Sequence, residues 1–142
     1  MHKKLAVLAV LALGGTLFTA CGMFGGGSST PPGPKNSVSA VQAALAAHGV
    51  SVTGTSALSD KLGGKAECTP VERKRLTVAG GYVNVGNYGD AGKADSCWNT
   101  YSAMGAKMGD YEKEGSWILE LKDTLPEDTK SKARSAFGDA ID

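Results

Sequence analysis

Residues 37–142 are predicted to form an α+β fold, a two-layer sandwich with helices on one face of a small, largely antiparallel sheet. Two observations predict it. Runs in which apolar and polar residues alternate lie beside runs with apolar residues three and four apart, the periods of strands and helices. These runs come in the order helix, strand, hairpin, helix, strand, helix (α-β-β-β-α-β-α), a mixture that packs as helices against one sheet face.

Val38, Val41, Leu45 and His48 recur at helical steps, with Ser37 able to cap the start and Gly49 suited to a left-handed stop. Val50 and Val52 then alternate with Ser51 and Thr53, a short strand starting almost directly from the helix end. Residues 54–70 show little periodicity and are read as loop, with one turn of helix near Ser59 to Leu62. Leu76 and Val78 alternate with Arg75 and Thr77, and Val83 and Val85 with Tyr82 and Asn84, on either side of Ala79-Gly80-Gly81. That is a hairpin, because glycine accepts the positive φ of a tight turn.

Asn87-Tyr88-Gly89-Asp90 breaks the second hairpin strand, and Ala94, Cys97, Trp98, Tyr101 and Met104 follow at helical spacing. A second helix is therefore expected from near Asp90, ended or loosened by Gly105 and Gly109. Trp117, Leu119 and Leu121 alternate with Ser116, Glu120 and Lys122, with Ile118 on the otherwise polar side, and this is the clearest strand of the chain. Pro126, Glu127 and Asp128 suit the first turn of a last helix, and Lys130, Lys132 and Arg134 its later turns. Ala133, Phe137, Ala140 and Ile141 form its inner stripe.

The whole chain has 142 residues and a net charge of +1, with 20 glycines and three cysteines. This length fits one small domain with appendages and excludes a multidomain enzyme. The balanced charge gives no reason to expect nucleic acid as a partner. Composition alone selects no chemistry.

Met1-His2-Lys3-Lys4 is a short cationic segment, and residues 5–13 are an unbroken apolar run ending at Gly14-Gly15. Residues 1–20 read as a secretion signal. The apolar stretch is shorter than the ~20 residues a membrane span needs, and glycine and serine follow it instead of a charged flank. Phe18-Thr19-Ala20-Cys21 resembles the lipobox of bacterial lipoproteins, in which small residues precede a cysteine that is lipidated and becomes the mature N-terminus. Phe18 stands where that family usually has leucine; the competing reading is an ordinary signal peptide cut after Ala20 or nearby.

The resemblance implies a diacylglyceryl and palmitoyl anchor on Cys21 and a protein held by lipid outside the cytosol, periplasmic or at the cell surface. Several acyl chains at about 0.8 kcal/mol per buried CH₂ suffice for stable attachment. Gly22 beside the cysteine, where Asp would stand otherwise, is similar to lipoproteins not retained at an inner membrane. Residues 22–36, through Gly25-Gly26-Gly27-Ser28-Ser29-Thr30-Pro31-Pro32-Gly33-Pro34, have little to bury and read as a disordered tether. Its typical reach is about 20 Å and its stretched limit about 50 Å. Residues 37–142 also resemble small lipoproteins of uncharacterised function, with a helix ending in His48-Gly49-Val50, a glycine hairpin and Tyr88-Gly89-Asp90-Ala91 leading into the next helix. That resemblance supplies no catalytic residues.

Cys68 and Cys97 are an even pair beyond the membrane and are expected to form a disulfide, worth about 3.6 kcal/mol by chain entropy. The rival is a reactive thiol, for which no histidine is near in sequence. His48 closes its helix's apolar face and reads as structural. With one histidine in the mature chain, neither a metal site nor a cofactor is expected. Asp110, Glu112 and Glu114, or Glu127 and Asp128, could pair as carboxylates, but such groups are ordinarily solvated. Arg73-Lys74-Arg75 reads as a charged strand rim that discourages edge pairing.

The candidate binding face is the uncovered side of the sheet, where Tyr82 and Asn84 point outward near Arg75 and Thr77. The function expected from all this is a lipid-anchored, non-catalytic envelope domain that binds an envelope protein or a wall polymer. One alternative is an inhibitor of an extracytoplasmic enzyme such as a wall hydrolase, inserting a loop near Ser56 to Cys68. The other is a carboxylate-dependent hydrolase, which would need Asp110 or Glu112 in a deep pocket.

Overall fold

The structure, a computed structural model, describes residues 34–58 and 68–142. The signal, Cys21 and the tether as far as residue 33 lie outside the described residues, as do the turn expected near Ser59 to Leu62 and most of the Ser56 to Cys68 loop. Among the described residues no helix is long and apolar enough to cross a membrane.

The first helix, α1 (Val38–Ala47), starts where Ser37 accepts a hydrogen bond from the Ala40 amide at 3.0 Å. It stops at Gly49, whose φ of 79° lets the Val50 amide turn back to the Leu45 carbonyl at 2.8 Å. Both ends are those the sequence predicts. Strand β1 (Val52–Ala57) follows, and β2 (Glu72–Val78) and β3 (Gly81–Asn87) form the expected hairpin. Gly80 takes a φ of 86° in its two-residue turn.

Helix α2 (Ala91–Ala103) is capped by Asp90, which accepts from the Lys93 amide at 2.8 Å. Its inner face is Ala94, Cys97 and Tyr101; Met104, expected on that stripe, instead caps the helix end and is 59% exposed. A short 3-10 turn over Met108–Asp110 leads into β4 (Tyr111–Glu114), a strand the sequence reading lacks. Strand β5 (Trp117–Leu121) and helix α3 (Glu127–Ala140) complete the chain.

All five strands pair antiparallel in the order β1-β2-β3-β5-β4, so the class is α+β with element order α-β-β-β-α-β-β-α. Leu76, Val83, Val85, Leu119 and Leu121 face α1 and α3, where they close a core with Val41, Leu45, Ala133, Ala136 and Phe137. Lys130 is the unexpected member of α3: its ammonium is buried and pairs with Asp110 at 2.8 Å and with Glu127 at 3.2 Å.

The layering differs from helices on one face alone. Alternation turns Ile118 to the other side of β5, where it meets a second cluster of Tyr88, Ala94, Cys97, Tyr101 and Cys68. Helix α2 covers that cluster, so it lies across the sheet from α1 and α3. The expectation that Arg73-Lys74-Arg75 guards a strand rim is also corrected, because β2 lies inside the sheet between β1 and β3. Edge strands are β1 and β4.

Cys68 and Cys97 are disulfide-bonded, with Cα atoms 5.3 Å apart and both residues fully buried. The bond ties α2 to the segment before β2 across 29 residues. Closing a loop of that length favours the folded state by about 3–4 kcal/mol. Cys68→Ala combined with Cys97→Ala is therefore expected to lower the unfolding free energy by about that amount. Urea denaturation of the two proteins measures it, and an unchanged midpoint would contradict the assignment of stability to this bond.

Candidate functional site

Arg75, Thr77, Tyr82 and Asn84 do come together, on the sheet face that α2 covers only in part. Strand register sets them in two rows: Thr77 beside Tyr82, and Arg75 beside Asn84, which is itself beside Glu120 and then Tyr111. Lys122 extends the first row, its amide bonded to the Tyr82 carbonyl at 3.2 Å. The next row, containing Arg73, Gly86 and Ile118, runs beneath α2.

A continuous hydrogen-bond network holds the second row in place. Glu120 Oε2 accepts from Arg73 Nη2 at 2.7 Å and from Asn84 Nδ2 at 2.9 Å. Asn84 Oδ1 in turn accepts from Arg75 Nε at 3.1 Å. The Arg75 guanidinium thereby lies 3.8 Å above the centre of the Tyr82 ring, a cation–π stack. Lys122 Nζ is 5.8 Å from the same ring centre and pairs with Asp123 at 3.2 Å. That carboxylate raises the Lys122 ammonium above its ordinary pKa, and the ammonium lowers Asp123 in return.

The four residues do not share one exposure. Thr77 is exposed and Arg75 and Tyr82 are half-buried, but Asn84 is buried. Asn84 is thus a support that orients Arg75 and Glu120, not a surface contact. The residues missed in the sequence are Arg73, Glu120, Lys122, Lys107 and Tyr111. Strand alternation puts Glu120 and Lys122 on this face, and that signal was readable; the chain crossing that brings Lys107 and Tyr111 alongside was not.

Next to the network is an open hollow of about 230 Å³, lined by Tyr82, Lys107, Asp110, Tyr111, Glu120 and Lys122 among others. Its acidic groups have internal partners: Glu120 in the network, and Asp110 on the buried Lys130 ammonium at 2.8 Å. Glu112 lies outside the hollow, 3.8 Å from Arg134, and Asp128 pairs with Lys132 at 2.7 Å along α3. These carboxylates are thus spread among ion-pair and hydrogen-bond contacts. Among the described residues no group of three or more His, Cys, Asp or Glu is placed to hold a metal ion. His48 Nε2 meets Asp139 Oδ2 at 2.7 Å, joining α1 to α3 on the far side of the sheet.

Behind the hollow, Tyr111 stacks on Tyr101 with ring centres 5.2 Å apart. Burial pushes the Tyr111 phenol up to about 12 and raises those of Tyr88 and Tyr101 as well. The Tyr88 and Tyr101 hydroxyls are buried near each other, and among the described residues neither meets hydrogen-bond geometry with a partner. Family descriptions yield no match to this chain, and no curated protein or solved structure shows significant similarity to it.

Two outcomes follow from the buried phenols. An unsatisfied buried hydroxyl costs about 1–3 kcal/mol, so Tyr101→Phe is expected to raise stability by about 1 kcal/mol in urea denaturation. The raised phenols also keep their protons in the folded state when the unfolded chain would lose them. The contribution of Tyr111 is intact below the ordinary pKa of 10.0 and is lost as pH rises toward about 12, and the raised Tyr88 and Tyr101 phenols act in the same direction. Unfolding free energy measured against pH is expected to fall over that interval, and less steeply in Tyr101→Phe.

Proposed function

We propose that this chain is a lipid-tethered, non-catalytic module of the bacterial cell envelope, which binds a wall polymer or an envelope protein through the face formed by Arg75, Thr77 and Tyr82. The anchor reading rests on Phe18-Thr19-Ala20-Cys21 and on the glycine, serine and proline tether that follows. One structural observation supports the binding reading. A buried amide, Asn84, is spent on holding Arg75 over Tyr82 and on orienting Glu120. Ordering a long arginine side chain on a half-open surface costs rotamer entropy, about 2 kcal/mol at most. A platform ordered in advance spares a ligand that cost on binding. The partners are therefore membrane lipid, through acylated Cys21, and the ligand of this face.

Two experiments test the proposal. Radiolabelled palmitate fed to bacteria expressing the full chain is expected to enter the protein, and Cys21→Ser is expected to abolish both labelling and membrane attachment. Firm attachment of the Cys21→Ser protein would overturn the anchor. A photocrosslinking amino acid placed at Thr77 in intact cells is expected to give an adduct that Tyr82→Ala and Arg75→Ala each remove. Digesting that adduct with a protease or with a wall hydrolase identifies its class. No adduct, or one indifferent to both substitutions, would rule out this face as the binding surface.

A further inference from the structure

Resting on that reading of the face, we propose that its ligand is a wall glycan strand carrying free carboxylates, held at the hollow between Tyr82 and Tyr111. Charge is the first observation. Arg75 and Lys107 converge around Tyr82 and the hollow, while the acids there are already matched from within the protein: Glu120 by Arg73 and Asn84, Asp110 by Lys130, Asp123 by Lys122. No described carboxylate lies within ion-pair distance of Arg75 or Lys107. Asn84 engages Nε of Arg75, so a ligand would be met by the planar fork of its two terminal nitrogens. That fork matches the two oxygens of a carboxylate.

The size and outline of the face decide between an acidic polymer and an acidic protein. Because α2 covers the third row of residues, the uncovered strip is two rows deep, and its second row runs from Ser56 on β1 through Arg75, Asn84 and Glu120 to Tyr111 on β4. It measures about 20 Å across the strands and about 7 Å along them. A stable protein interface needs about 800 Å² on each partner, more than this strip offers. A long, narrow strip with an open hollow beside it suits a few sugar units of an extended strand. The Arg75 guanidinium over the Tyr82 ring supplies a platform, and the network of Asn84 and Glu120 keeps it in position.

Purified full chain in detergent micelles, co-sedimented with bacterial peptidoglycan sacculi, tests this. The probes are native sacculi and sacculi whose carboxyl groups have been converted to methylamides. Native sacculi are expected to bind, and binding is expected to weaken about tenfold on amidation and by a similar factor in Arg75→Gln. Lys107→Gln, in the loop after α2, gives a second variant that removes a cation without touching the sheet. Equal binding to native and amidated sacculi would overturn the carboxylate while leaving the face a glycan site. Binding to neither would overturn the glycan, and the Thr77 crosslink then decides separately whether the face binds at all. Sedimentation with anionic phospholipid vesicles in place of sacculi would also overturn it.

Discussion

The polar side of this sheet is organised around the carboxylate of Glu120. Its side chain is only 25% exposed, and a charge so placed is tolerated when donors surround it. Arg73, 8% exposed, supplies one donor and Asn84 the other. Since the amide nitrogen of Asn84 is committed to Glu120, its oxygen faces the opposite way, toward Arg75 Nε. The position of Arg75 above Tyr82 is thus set two hydrogen bonds away, from a strand that arrives late in the chain. An apolar side chain at residue 120 would remove both the charge facing Arg73 and the acceptor of the Asn84 amide, so the change would reach Arg75 as well.

Strand alternation made much of this readable. Val83 and Val85 face α1 and α3, and Tyr82 and Asn84 face the other side, because a period of two leaves no other choice once one side is buried. What alternation does not carry is depth. Asn84 reads as an outward residue, and it is buried only because Glu120, 36 residues later, and Arg75, 9 residues earlier, close over it. Lys130 shows the same limit. Its place in α3 suits the helix dipole, but its burial comes from Asp110, 20 residues earlier, on the turn before β4.

The misread elements have local causes too. Strand β4 has the sequence Tyr-Glu-Lys-Glu, which offers no apolar alternation, and its side chains are met by Arg134 on Glu112 and by Asp95 on Lys113. Gly115, with a φ of 53°, begins the turn to β5 and was the one local sign of a hairpin there. The placement of α2 hung on Ile118. An apolar residue on the polar side of β5, together with Tyr88 and the buried disulfide, creates a second apolar patch that needs a cover. The helix carrying Cys97 is the element the disulfide delivers to it.

The two ends of the domain bear on how such a face would be presented. The Asn36 amide bonds to the Ala140 carbonyl at 2.9 Å, Asn36 Oδ1 accepts from the Asp142 amide at 3.0 Å, and Lys35 pairs with Asp142 at 2.8 Å. The chain therefore comes into the domain beside the end of α3. Asp142 also lies next to Gly115, at the turn where β5 begins. Tyr82 and Lys122 sit at the other end of β5, about 17 Å away by strand rise, and on the opposite side of the sheet from α3. With a lipid on Cys21, tension along the tether would draw the Asn36 corner toward the headgroups first. Under the proposed anchor, the Arg75 and Tyr82 platform would be the part of the domain turned from the bilayer, which would suit a ligand lying beyond the membrane better than one within it.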